Sequence, residues 1–290
     1  MKARSMLFTL YGDSIERYGG EVAASSLIAI MGVFGFSPPS VRGALGRMVR
    51  QGWLTNRHLG RRSFYALTPR GRLRVEHGTG RIYALEHRPW DGRWRLLTYT
   101  FPESRRDTRD RLRRELTWLG MGPLAPSTWI TPYDLHRHLT GFLEDHGLTS
   151  YVAEFTADHL GPSSDQDLVA RCWDLGAIAQ WHEQFDALFR PRFEALQHRI
   201  EAGDGLADRE AFVEKIRLVH EYRKALYVDP WLPDELLPAA WPGRASARLF
   251  FDFYQLLDPG ATRFFEALFE PAPDARPPLV PPARFPRAVA

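Results

Sequence analysis

The side chains best placed for chemistry in this sequence are arginines at regular intervals. From Pro38 to Gln51, taken at about 100° per residue, Ser40, Gly43, Arg47 and Arg50 fall on one side of a helix, with Arg42 at its edge. Val41, Leu45, Met48 and Val49 fall on the other side. A helix with an apolar inner face and an outer face of small residues and arginines suits the major groove of DNA. Gly43 and Gly46 each weaken the helix by about 1 kcal/mol relative to alanine, a cost that makes sense where a backbone approaches another surface closely. A second group, Arg61 and Arg62, lies with Gly60 between two strand-like runs, Trp53–Arg57 and Ser63–Leu67. The intervening His58–Arg62 reads as a hairpin tip that would contact phosphate or the minor groove. Ser40, Arg42, Gly43, Arg47, Arg50, Arg61 and Arg62 are therefore the expected contacts to double-stranded DNA.

Charge follows the same division. Residues 1–80 hold Lys2 and eleven arginines against Asp13, Glu16, Glu21 and Glu76, a net +8. The whole chain is only +3, so the remaining 210 residues carry −5. No acid occurs between Val22 and Val75. A basic head on an acidic body points to a polyanion partner for the head and another task for the body. RNA is the weaker reading, because no aromatic stacking platform accompanies the charge.

Other chemistry finds little support. His136, His138 and His146 share one helical stretch but read as solvated histidines, not as a zinc site. His182-Glu183 begins like a zinc-protease helix, yet Asp186 stands where the second histidine belongs. Cys172, the single cysteine, sits beside Trp173 on an amphipathic helix and is expected to be packed; it also excludes an internal disulfide framework. No phosphate-binding loop, dinucleotide fingerprint or nucleophile elbow is present. No catalytic residue, metal or cofactor is expected. Val22–Val41 is uncharged but interrupted by serines and Pro38-Pro39, so no membrane span is expected and the chain is read as cytoplasmic.

The elements that must hold these groups can be read in order. Met6, Leu7, Leu10, Tyr11, Ile15 and Tyr18 predict a first helix ending near Gly19-Gly20, and Leu27, Ile30, Met31 and Phe34 a second. Ser37-Pro38 and Thr68-Pro69 are cap-and-proline starts for two more helices, the latter running towards Tyr83. Helix, helix-turn-helix, hairpin, helix is the order of a winged helix-turn-helix. After a linker, His87–Gly92, a strand Arg93–Phe101, a helix Glu103–Leu119, strands Gly120–Pro126 and Ser127–Thr131, a helix Pro132–His146 and a strand Thr149–Phe155 predict a ferredoxin-like βαββαβ module, with its helices on one face of an antiparallel sheet. From Asp165 the periodicity is helical, with stretches around Leu175–Leu188, Phe212–Leu226, Leu249–Leu257 and Thr262–Phe269. The expected fold is α+β and multidomain: 1–86 winged helix, 90–160 ferredoxin-like, 165–270 helical, and a proline-rich tail 271–290.

Three regions of the sequence resemble the PaaX family of transcriptional repressors of phenylacetic acid degradation. The stretches that carry the resemblance are LFTLYGD (7–13), VRGALGRMVRQGWL (41–54) and GRRSFYALTPRGR (60–72). It continues in WDGRWRLLTY (90–99), HEYRKALYVDPWLPDELLPAAWPG (220–243) and ARLFFDFYQLL (247–257). The resemblance implies a homodimeric repressor that leaves its palindromic operator when it binds an aryl-coenzyme A thioester, phenylacetyl-CoA in the best-known members. It also implies a middle domain similar to the small CRISPR-associated ferredoxin-like nuclease, which makes a metal-dependent nuclease the alternative. That family carries a metal-binding Asp near the end of its first strand; here Leu96–Phe101 has no carboxylate, and Glu103 follows Pro102. For such an effector, Arg217, His220 and Lys224 share a helical face with Arg223 nearby, and Trp241 offers an apolar wall.

Overall fold

The computed structural model describes residues 2–84 and 89–274. The chain divides into two compact units, each assembled from separated stretches. One comprises Met1–Leu85, Phe185–Arg223 and Ala247–Ala290, the other Glu86–Gln184 and Lys224–Ser246. The expected helical domain 165–270 is thus shared between both. The physical reason lies in which faces are apolar: Ile178 packs with Trp94 and Ile130 in the second unit, whereas Phe185 stacks on Phe189 and Tyr222 in the first. His87 and Arg88 of the expected linker, and residues 275–290 of the expected tail, lie outside the described residues.

In the first unit the chain runs α1 (Ala3–Asp13), a 3₁₀ turn (Ile15–Tyr18), β1 (Glu21–Ala23), α2 (Ala24–Val33), α3 (Pro38–Arg50), β2 (Leu54–Leu59), β3 (Arg62–Leu67) and α4 (Pro69–Ile82). The three strands form an antiparallel sheet in the order β1-β3-β2. Both cap expectations hold: the Ser40 amide donates to the Ser37 hydroxyl at 3.4 Å and the Gly71 amide to that of Thr68 at 3.0 Å. The first helix is shorter than its periodicity predicts, because Ser14 and the 3₁₀ turn separate Asp13 from Ile15–Tyr18. Strand β1 has only three residues, too few to show an alternation. The hairpin tip shrinks from the expected five residues to Gly60-Arg61, with Gly60 at φ +60°, a conformation that its missing Cβ permits.

The second unit holds β4 (Trp94–Tyr99), α5 (Arg106–Trp118), β5 (Gly122–Ala125), β6 (Thr128–Thr131), α6 (His136–Asp145) and β7 (Val152–Ala157). The sheet is antiparallel in the order β5-β6-β4-β7. Leu97 and Tyr99 point with Leu112, Leu116, Leu139 and Leu143 into one core. Trp94 and Ile130 join Leu168, Val169, Ile178 and Trp241 in another, so the sheet buries side chains in two cores. Helix α6 begins at His136 and not at Pro132; the Asp134 carboxylate accepts from the His136 amide at 2.9 Å.

The remaining helices are α7 (Asp165–Cys172), α8 (Leu175–Glu201), α9 (Asp208–Tyr222) and α10 (Gly243–Leu268). Sequence reading divides α10 at Pro259, but the helix continues through it. An interior proline costs about 3 kcal/mol. Phe253 and Leu257 before it, and Ala261 and Phe265 after it, are all buried, and their burial outweighs that penalty. Among the described residues no helix is long and apolar enough to cross a membrane.

Candidate nucleic-acid interface

Helix α3 is fixed by its inner face. Val41, Ala44, Leu45 and Met48 are buried, and α3 packs on α1, α2 and β2. Ser40, Arg42, Arg47 and Arg50 are exposed on its outer side and Gly43 is half-buried. None of these arginines has a hydrogen bond or ion pair among the described residues, and the same is true of Arg61 at the exposed hairpin tip. A Cβ built on Gly43 would lie 3.4 Å from a terminal nitrogen of Arg47, and one on Gly46 would lie 3.6 Å from Arg50. The glycines therefore let each guanidinium four residues on lie along the helix surface. Arg62 differs from its neighbour: it pairs with Glu270 and stands over the Phe64 ring at 5.6 Å.

The base of this surface is anchored by buried polar groups that the sequence reading did not single out. The Asp13 carboxylate is 1% exposed. It accepts from the hydroxyls of Tyr83 at 2.7 Å, Tyr254 at 3.0 Å and Ser14 at 2.8 Å, and faces Lys215 Nζ at 3.2 Å. Lys215 also donates to Asp258 at 2.6 Å and sits 4.5 Å from the Tyr254 ring centre. Burying an ion pair is costly unless every lone pair is satisfied, and here hydroxyls complete the shell. Nearby, the Tyr18 hydroxyl donates to Glu266 at 2.7 Å. Burial first, and then that bond, push the Tyr18 phenol up to about 12. A signal was available in the sequence: Lys215 falls on the apolar stripe of Phe212, Ile216 and Val219, where a lysine must find a partner.

The expected effector residues are not gathered at one point. Arg217 is exposed and pairs with Glu214 at 3.0 Å. His220 is buried, with its Nδ1 2.9 Å from the Thr9 hydroxyl, and Arg223 donates to the Ser5 hydroxyl at 2.5 Å. These three belong to the first unit; Lys224 and Trp241 belong to the second, and Trp241 is buried in its core. The second unit also has a cleft of about 480 Å³ whose walls include Met121, Trp129, Trp173, Ile178, Tyr227 and Arg113. The indole N–H of Trp129 is buried without an acceptor, and Tyr227 is exposed. Cys172 borders the cleft, and burial pushes its thiol up, which disfavours the nucleophilic thiolate.

The alternative chemistries look no stronger in three dimensions. β4 carries no carboxylate, and Glu103 lies in the exposed 3₁₀ turn that precedes α5. His136 faces Glu154 at 3.3 Å, and His146 stacks on Phe142 with its Nδ1 on the Phe142 carbonyl oxygen. His182, buried, is held by Asp229 at 2.9 Å. Among the described residues no group of three or more His, Cys, Asp or Glu is placed to hold a metal ion.

Comparison with known proteins agrees with this geometry. Residues 2–71 match the family described as PaaX-like protein, 87–169 the PaaX protein central Cas2-like domain, and 173–267 the PaaX-like protein C-terminal domain. The chain is 35% identical over 263 residues to the transcriptional repressor PaaX of Escherichia coli (strain K12), covering 90% of this chain and 82% of that protein. Among solved structures it is similar to the uncharacterized protein Rv0674 from Mycobacterium tuberculosis. There the TM-score is 0.51 and the identity 26%, over 90% of this chain and 98% of the other.

Proposed function

The chain belongs to the PaaX family, and from that premise we propose that it is a homodimeric, cytoplasmic transcriptional repressor that binds operator DNA through its N-terminal module. A family of repressors implies DNA binding, and the element order of residues 3–82 supports a winged helix-turn-helix as the means. In this reading α3 enters the major groove, with Ser40, Arg47 and Arg50 towards base edges and Arg42 and Gly43 at the backbone. Arg61, at the turn between β2 and β3, takes phosphate or the minor groove. A dimer would read two half-sites about one helical turn apart, or a multiple of it. The observation that carries the proposal is the set of exposed arginines on α3 and at the tip, unpaired among the described residues, above a fully buried inner face. Fluorescence anisotropy on duplexes of varied sequence tests it: binding with sequence preference and a steep salt dependence is expected, and a single affinity for all duplexes overturns it.

The middle module is read as ferredoxin-like, an order that β4-α5-β5-β6-α6-β7 with the strand sequence β5-β6-β4-β7 supports. β7 has no strand on its outer side and Phe155 there is 55% exposed, which favours this module as a site of dimer contact. We further propose that an aryl-CoA thioester such as phenylacetyl-CoA releases the repressor, through a shift towards a dimer whose heads no longer match the operator. The cleft near Trp129 and Trp173 has the volume of a small-molecule site and suits the aryl end better than the dispersed set at Arg217, His220 and Arg223. A thermal-shift series of acyl-CoA thioesters checks this, since a ligand stabilises the fold by RT ln(1 + [L]/Kd). Stabilisation by phenylacetyl-CoA that survives both Trp129→Phe and Tyr227→Ala would place the site elsewhere.

A further inference from the structure

Residues 270–274, which follow α10, run beside the free edge of β1. The Ala23 amide donates to the Glu270 carbonyl at 3.0 Å, and the Glu270 amide donates to the Ser26 hydroxyl at 3.0 Å. Ala272 is 3% exposed and packs with Ala23 and Phe64. The hairpin register sets Arg57 opposite Phe64 and Leu59 opposite Arg62, so these four side chains share one face. On that face Asp274 accepts two hydrogen bonds from the Arg57 guanidinium, at 2.8 and 2.5 Å. Glu21 holds the same guanidinium through two more, both at 2.6 Å, and Glu270 pairs with Arg62. Two guanidiniums therefore meet three carboxylates, a local charge of −1. Without Glu270 and Asp274 it would be +1.

Covering a sheet edge requires only backbone bonds and an apolar contact, and Glu270 and Ala272 supply those through their main chain and methyl group. The two carboxylates are additional, and each meets an arginine next to the wing. We propose that Arg57 and Arg62 form a second phosphate-binding pair of the wing, which Glu270 and Asp274 occupy in the DNA-free protein and yield to the DNA backbone. This rests on the reading of the N-terminal module as DNA-binding. Carboxylate and phosphate present the same acceptor geometry to a guanidinium fork, so one can replace the other. Being part of the same chain, the two acids act at high effective concentration and raise the threshold for any duplex that offers phosphate alone.

The test uses the full chain with Glu270→Gln and Asp274→Asn together, titrated with duplex DNA between about 50 and 200 mM salt. Affinity at the lowest salt is expected to rise about 2- to 25-fold. The slope of log K against log salt should steepen by about 0.9 to 1.8, one increment per phosphate gained. Adding Arg57→Ala and Arg62→Ala should abolish the gain. An unchanged slope, or weaker binding at an unchanged melting temperature, overturns the proposal. Asp274→Asn alone, at an exposed position, repeats the measurement with one increment if the double variant fails to fold. Absence of DNA binding by the unaltered chain would instead overturn the DNA reading on which the proposal depends.

Discussion

The recognition helix and the wing carry arginines of the same chemistry in opposite states. On α3, Arg42, Arg47 and Arg50 project from a helix whose neighbourhood contains no acid, since none occurs from Val22 to Val75. On the wing, Arg57 and Arg62 meet Glu21, Asp274 and Glu270, which come from before and far after the hairpin in sequence. Only Arg61, at the tip, resembles the helix arginines in being exposed and unpaired among the described residues. The difference teaches that a basic patch counted along the chain overstates the positive charge available in the fold. Partners distant in sequence neutralise part of it, and they do so selectively on one element.

The comparison can be broken or sharpened by substitution. The largest effect should come from the anchor that helix and wing share. Lys215→Met leaves the Asp13 carboxylate buried without its cation and is expected to cost about 3–5 kcal/mol of unfolding free energy, measured by denaturant titration. DNA affinity of the fraction that remains folded should keep its sequence preference; a changed preference would mean that the anchor sets the orientation of α3. Next, Arg47→Ala should lose about 1–3 kcal/mol on the preferred duplex and much less on others, as read by competition binding. Arg61→Ala should weaken all duplexes alike and reduce the salt slope by about 0.9. Equal losses from Arg47→Ala and Arg61→Ala on every sequence would erase the proposed distinction between helix and wing.

The smallest effect concerns pH. The neutral Tyr18 phenol donates to Glu266, and its value is raised from 10.0 to about 12 by burial and that bond. A raised value in the fold means that the contribution is complete below pH 10 and is lost as pH rises through about 12. The stability advantage of the wild-type chain over Tyr18→Phe should therefore shrink across that window. An advantage independent of pH would show that packing against Phe265 and Phe269, and not the hydrogen bond, is what Tyr18 contributes.

Much of the interface was legible in the sequence because its signals are local. Ser37-Pro38 and Thr68-Pro69 determine where two helices start through a cap and a missing N–H, and the 3.6-residue period separates Val41, Leu45 and Met48 from Ser40, Arg47 and Arg50. The strand and helix order of the middle module was readable for the same reason, with boundaries displaced by a few residues at His136 and Val152. What was misread depended on long-range balance. Pro259 looked like a break, and only the burial of Phe253, Leu257 and Phe265 around it shows why the helix persists. His220 looked like part of a wet anion-binding face, yet its partner is Thr9, 211 residues away.

The sequence by itself determined which residues stand outward on α3, the turn at Gly60, and the separation of a basic head from an acidic body, because each follows from spacing and composition within a few turns of chain. The tertiary structure decided which arginines are available to a partner and which are already paired. It also decided that Asp13 and Lys215 are structural, and that residues 165–270 serve two units and not one. Those outcomes depend on electrostatic and apolar contacts between segments up to 200 residues or more apart, and no periodicity along the chain encodes them.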